Sequence, residues 1–213
     1  MDTQKLIEIQ KSIYKKIKIK PYNKEFRKIL AFDISFDNDD GYCVGVMLDR
    51  DFKIIEEKYT FQKVKFPYIS GFLMFREMPL ILKTYKKFNN KPDIILIDGH
   101  GTLHPRRCGI AVAFGVKVKK PTIGVAKSFL YGIYEEPDNK KNSFSYVYDK
   151  NGDKIGTVLR TRENTKPVFV SPGNLIDILS SIKIVKKLIG KYRIIEPLRI
   201  AHIESNRFRK GCI

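Results

Sequence analysis

Cysteine is scarce in this 213-residue chain, with only Cys43, Cys108 and Cys212. They lie far apart and are never spaced as CxxC, which argues against a disulfide framework and against a zinc site. Cys212 is the second residue from the end, two places off the position of a prenylation box. No run approaches the roughly 20 apolar residues that a membrane span needs. The opening MDTQKLIEIQKSIYKK alternates charge with apolar residues and lacks the continuous apolar stretch of a secretion signal. Repeats and low-complexity segments are missing too. A cytoplasmic protein in a reducing compartment is the expectation. Negative charge is also in deficit: 23 Asp plus Glu face 41 Lys plus Arg, leaving a formal net charge of +18. That imbalance points to a polyanion, either nucleic acid or an anionic membrane surface.

What is present suffices for a core. With 43% apolar and 12% aromatic residues, the chain is neither a disordered tail nor a disulfide mini-protein. Its length suits one domain, or at most two small ones. Leu6, Ile9, Ile13 and Ile17 recur at spacings of three and four, which predicts a basic amphipathic helix over 4–19. Residues 28–36, 41–49 and 53–62 read as short strands joined by Asp- and Asn-rich turns, hence as antiparallel neighbours. A helix is expected over 71–88, kinked or shortened by Pro79. Then come a buried strand at 93–98, a glycine turn, a short helix near 106–115 and an apolar strand at 122–126. Residues 135–143 read as a surface loop, and 144–170 as a small polar hairpin turning at Asn151-Gly152. Helices over 174–188 and 197–209 close the chain. This order implies an α/β layer with a mixed sheet, three antiparallel strands followed by parallel ones, flanked by helices.

Three carboxylates need a reason for their positions. Asp33 interrupts the apolar strand KILAFDISF, and Asp98 ends the buried run DIILID. Such acids are costly unless paired, hydrogen-bonded or coordinating a cation. Either alone could be structural, Asp98 by capping the turn that follows it. If the two strands pair, both side chains converge at one edge of the sheet. Glu77 has Leu73, Met74, Leu80 and Ile81 as its helical neighbours, so it faces the sheet. It either pairs with Arg76, snorkels to the edge, or helps hold a cation. Three acids make a hard, oxygen-rich site suited to Mg²⁺ or Mn²⁺. On so basic a protein that suggests phosphodiester chemistry. His202 lies on the last helix beside Ser205 and Asn206, as a structural residue or as one facing a polar cleft. His100 and His104 sit in the turn after Asp98, as ligands or as turn stabilisers.

Four stretches carry a narrower pattern: FPYISGFLMFRE (66–77), PDIILIDGHGTLHPRRCGIA (92–111), PTIGVAKSFLYG (121–132) and EPLRIAHIESNR (196–207), with KPVFVSPGN (166–174) as a weaker fifth. In this order they resemble endonuclease V, a family with the ribonuclease H-like fold that nicks strands near deaminated adenine. The resemblance runs from about residue 28 to residue 209. It implies one domain over 1–213, with 1–27 as a basic helical extension packed on it. It also implies that Asp33 and Asp98 hold Mg²⁺, that Glu77 is the third acid, and that His202 assists from the last helix. Lys127 would lie near the cleaved phosphate, although a solvated charge at a strand end is the plainer reading of that residue. Tyr68 would be the wedge that fills the gap left by an everted base, where core or turn filler is the alternative. Backbone at Gly71, Leu73, Gly99, Gly109 and Ile110 would line the hypoxanthine pocket, although turn geometry also explains Gly99. The chain departs from the family pattern at Ser70, His100, Ala113 and Asn174.

The resemblance therefore implies a Mg²⁺-dependent, monomeric DNA repair endonuclease. It would flip deoxyinosine and cut the second phosphodiester on its 3′ side, leaving 3′-hydroxyl and 5′-phosphate ends. The rivals are a ribonuclease H-like nuclease for inosine-containing RNA or branched substrates, and a basic non-catalytic nucleic-acid binder.

Overall fold

An apolar run broken by one acid forms the middle of the sheet. In the computed structural model, which describes residues 2–212, β1 (Ile29–Asp37) has β2 (Asp40–Leu48) antiparallel on one side. On its other side lies β4 (Ile94–Asp98), parallel. Outside β2 runs β3 (Ile54–Lys63), antiparallel, and β5 (Thr122–Ala126) continues the parallel set beyond β4. Both faces of β1, β4 and β5 are buried, as parallel strands require. Alternate residues feed two cores. Ile29, Ala31 and Leu96 pack under α5 (Glu196–Arg209) and α4 (Ile178–Lys187). Leu30, Phe32, Ile95 and Ile97 pack under α2 (Leu73–Tyr85) and α3 (Ile110–Val118).

The expected polar hairpin is instead part of this sheet. It divides into β7 (Phe144–Tyr148), β8 (Lys154–Leu159) and β9 (Val168–Asn174), with β6 (Ile133–Tyr134) at the edge. Because β9 pairs antiparallel with β5, nine strands run in the order β3-β2-β1-β4-β5-β9-β8-β7-β6. Pro172 and Gly173 argue against a central strand in the sequence. The register shift at Thr122/Ile123, opposite Pro172, is where the ladder absorbs them. Residues 135–143 do form a loop, tied down where Arg160 meets Glu136 at 2.6 Å.

Three helices differ from their expected limits for local reasons. α1 spans Thr3–Tyr14 and stops well short of residue 19. Beyond it the Lys18 N–H donates to Asn174 Oδ1 (3.0 Å) and the Lys18 carbonyl accepts from the Leu175 N–H (2.6 Å), so that backbone is used across the fold. Nor does its buried stripe include Ile9, which is 38% exposed; Gln10 lies inward instead. α2 runs unbroken through Pro79, starting at Leu73. Met74 on one side of the proline and Leu80 and Ile81 on the other are buried, which outweighs the lost backbone bond. α3 begins only at Ile110, because residues 99–109 are held against β9. Among the described residues no helix is long and apolar enough to cross a membrane.

That clamp on 99–109 positions the site. The Gly101 N–H donates to Ser171 Oγ (2.8 Å), Thr102 N–H to the Pro172 carbonyl (2.8 Å), and Thr102 Oγ1 to the Ile155 carbonyl (2.7 Å). Such backbone approach leaves no room for side chains. A Cβ on Gly124 would stand 2.5 Å from the Gly99 carbonyl oxygen and 2.6 Å from the Gly101 nitrogen. Gly124→Ala is therefore expected to cost about 1–3 kcal/mol. The check is a urea titration in which the midpoint falls while the slope stays the same.

Candidate active site

Asp33 and Asp98 each follow the last paired residues of their strands, Phe32 and Ile97. Adjacent register places them side by side. β4 ends at Asp98 while β1 continues to Asp37, and Glu77 approaches from α2. All three line one small cavity of about 70 Å³, walled otherwise by Phe32, Ile34, Ile81 and Ile97. Asp33 is 6% exposed; its Oδ2 accepts from Ser205 Oγ and lies 3.3 Å from His202 Nδ1, both on α5. Asp98 Oδ2 meets Lys127 Nζ, just past β5, at 2.5 Å. Glu77 does not pair with Arg76, whose guanidinium donates to the Phe66 carbonyl (2.5 Å) and lies over the Phe36 ring. Among the described residues the Glu77 carboxyl has no hydrogen-bond or ion-pair partner.

The electrostatics follow from that crowding. Burial, then the charges of Asp98 and Asp33, push the Glu77 carboxyl up to about 8. Burial also raises Asp98, against the pull of Lys127. For Lys127 burial alone would lower the ammonium, but Asp98 outweighs it and the pKa is raised. The hydrogen bond to Asp33 raises His202. Three converging carboxylates with one lysine form a site where a hard divalent cation fits the donor chemistry. Among the described residues, however, no group of three or more His, Cys, Asp or Glu is drawn together as a ready-made metal site. One oxygen of each aspartate, Oδ2, is engaged, that of Asp33 by α5 and that of Asp98 by Lys127.

A second cavity, about 280 Å³, adjoins the first through Asp98. Tyr68, Gly71, Leu73, Gly99, Gly109 and Ile110 all line it, with Lys127 at its edge. Tyr68 is 73% exposed, so it is not core filler. Gly71 sits at φ +78°, a conformation that glycine adopts without strain.

A family model described as Endonuclease V matches residues 11–203. Endonuclease V from Thermosipho melanesiensis is 47% identical over 207 residues, covering 97% of this chain and 91% of that protein. The chain belongs to the endonuclease V family. Among solved structures, the Streptomyces avermitilis endonuclease V superposes with TM-score 0.90 at 31% identity, covering 98% of this chain and 93% of that one. The Ciona intestinalis endonuclease V, in complex with a 24mer DNA containing an inosine followed by a ribo-adenosine, superposes at 0.86 with 26% identity over 99% of both chains. Family membership makes this protein a nuclease, with the ribonuclease H-like mixed sheet expected from the motif order.

Several residues that shape this endonuclease V site carried no clear signal in the sequence. Ser205 fixes Asp33. Arg193 donates to the carbonyls of Lys127 (2.6 Å), Lys166 (2.7 Å) and Pro167 (3.0 Å), which sets the loop that carries Lys127. Asn174, one of the departures from the family pattern, joins Lys18 to the Gly115 carbonyl. His104 is a turn residue, not a ligand: the Arg106 N–H donates to its Nδ1 (3.1 Å), and its Nε2 donates to the Gly71 carbonyl (2.9 Å). Those two bonds assign the neutral tautomer. Burial accordingly pushes His104 down to about 4 from 6.5. Between those values the unfolded chain binds a proton that the folded chain refuses, so this contribution to stability falls as pH drops from 6.5 towards 4. In urea titrations across that window, wild type should lose on the order of 2–3 kcal/mol more than His104→Gln does. Parallel curves for the two proteins would show that His104 does not titrate in this way.

Proposed function

We propose that this endonuclease V acts on DNA as a divalent-metal-dependent repair enzyme, recognising deoxyinosine and cutting the second phosphodiester on its 3′ side. The observation that carries the reading is that the three-acid cavity and the larger pocket share Asp98, so one strand can seat a base in one and a phosphate at the other. The inosine-containing DNA held by the Ciona homologue supports the choice of base.

In this reading an extruded base enters the pocket and its edge meets backbone at Gly71, Leu73, Gly99, Gly109 and Ile110. The exposed ring of Tyr68 fills the gap left in the stack. Asp33 and Asp98 hold the cation, for which Mg²⁺ is the best match and Mn²⁺ the alternative. Glu77 and His202 orient water around it. When bound, the ion supplies Lewis-acid activation of water and neutralises charge at the phosphate. Lys127, already drawn to Asp98, offers its ammonium to a phosphate oxygen. Ser205 holds Asp33 in place. Cleavage leaves 3′-hydroxyl and 5′-phosphate ends, and surface Lys and Arg follow the backbone without reading sequence.

Asp33→Asn is expected to lower cleavage of a deoxyinosine strand at least about 100-fold while binding in EDTA persists. Undiminished nicking by that variant, or nicking by wild type in EDTA, would remove the metal assignment. Tyr68→Ala should weaken binding of the inosine strand by about 1–3 kcal/mol, measured by fluorescence anisotropy. Equal wild-type affinity for inosine and undamaged strands counts against the wedge. Matched DNA, RNA and branched substrates, including a single ribonucleotide 3′ to the inosine, separate the proposed enzyme from a nuclease for RNA or junctions. Salt-dependent binding without any cleavage would mark a non-catalytic binder.

A further inference from the structure

The buried residue of α1 is a polar one. Gln10 is 1% exposed, whereas the rest of that helix is exposed or half-buried. An apolar side chain there would bury at lower cost, since an amide has to find partners for both its ends. Gln10 finds them in two loops that lie far apart in sequence. Its Nε2 donates to the Gly71 carbonyl at 2.9 Å and to the Cys108 carbonyl at 3.3 Å. Its Oε1 accepts from Arg106 Nε.

Gly71 and Cys108 both line the 280 Å³ pocket. Gly71 follows the exposed Tyr68 loop and leads into Leu73. Cys108 leads into Gly109 and Ile110. Gly71 O is a hub, since Arg106 (2.7 Å) and His104 Nε2 (2.9 Å) also donate to it. The Arg106 guanidinium further lies over the Phe72 ring, 4.4 Å from its centroid. Gly71 is in the left-handed region, so the direction of its carbonyl depends on a conformation these donors hold. Arg106 and His104 come from the same 99–109 segment as Cys108 and join it to Gly71 directly; Gln10 braces that junction from a helix outside both loops, bonding the Gly71 and Cys108 carbonyls and Arg106 at once.

We infer that Gln10 is a positioning residue that braces the junction of the Gly71 and Cys108 segments and the seat of the Tyr68 loop, making α1 part of the apparatus for base discrimination. The inference rests on the reading of this pocket as the seat of an everted base. Gln10 acts through the two backbone segments and through Arg106, all three of its polar contacts being spent on them. Removing its amide leaves the Gly71 and Cys108 segments joined by His104 and Arg106, and frees the Cys108 carbonyl, the Arg106 Nε–H and the helix.

The test uses the full chain with Gln10→Leu, which removes all three contacts, and Gln10→Glu. The latter keeps the shape and an acceptor for Arg106 but turns the donor end into a carboxylate facing two carbonyls. Anisotropy in EDTA with otherwise identical inosine and undamaged single strands gives a ratio of affinities. Hydrogen–deuterium exchange reads the backbone of residues 69–73 and 108–110. Both variants are expected to lower the ratio about tenfold and to speed exchange in those two segments while β1, β4 and α5 keep their protection. A variant that merely folds less well lowers both affinities together and leaves the ratio intact, which would overturn the inference. If Gln10→Leu fails to fold, Gln10→Glu carries the test. If wild type shows no preference for inosine, the functional reading fails on its own account. The exchange result then judges the clamp alone, and unaltered exchange at both segments overturns it.

Discussion

Like charges repel, and the repulsion grows as water is removed, yet this protein gathers Asp33, Glu77 and Asp98 around one small cavity at the end of a five-residue strand. Each is compensated differently. Asp33 has a hydroxyl and an imidazole from α5, Asp98 has the ammonium of Lys127, and Glu77 has only the option of keeping its proton. A divalent cation would be a further compensation of a kind this oxygen-rich donor set suits. The surrounding elements are consistent with holding these acids together. α5 supplies the partners of Asp33, α2 brings Glu77 to the edge of the sheet, and the loop that carries Lys127 is tied down by Arg193.

The pocket beside the acids depends on a different constraint, the close approach of backbone to backbone. Residues 99–109 lie against β5 and β9 so tightly that Gly101, Gly109 and Gly124 would each drive a Cβ into a backbone atom. This layer cannot yield by moving a flexible side chain. It is rigid where the proposed base would meet backbone groups, and fixed peptide groups are what the proposed recognition of a ring edge would need. Tyr68, by contrast, stands out into solvent on a short loop. The pocket and the exposed Tyr68 loop meet at Gly71, where the donors of three side chains converge on one carbonyl.

Much of this was readable from residue order. The central strands show themselves because Ile and Leu, with Ala31 and Phe32, fill both faces of 94–97 and of 29–32, and an acid breaking such a run needs an explanation. Glu77 could be assigned to the inner face of its helix from its four apolar neighbours. Other features were not readable because they depend on contacts across the fold. β9 contains a proline and a glycine, and its place between β5 and β8 is revealed only by pairing. α1 ends early because Lys18 finds partners 156 and 157 positions away, at Asn174 and Leu175. The stripe on α1 was assigned to Ile9, since periodicity favours the apolar residue, and a glutamine one place on takes the inward position because two carbonyls and an arginine await it. Local patterns record hydrophobicity well; they do not record where a buried hydrogen bond will be satisfied.

The overall charge and the local charge of this protein act against each other. A net +18 draws a polyanion from a distance, since the field of many cations adds while screening removes only the far part of it. At the cavity itself the sign reverses. A phosphate approaching the cavity meets the carboxylates of Asp33 and Asp98, and Lys127 is engaged with Asp98. Long-range attraction therefore brings a strand to the surface without letting its backbone settle at the acids. A cation shared by the carboxylates would change both conditions, cancelling the repulsion and loosening the hold of Asp98 on Lys127. The ammonium would then be available to the phosphate. Under the proposed function the protein would associate with any strand through its basic surface, while close engagement of a phosphodiester would wait on a cation at the acids.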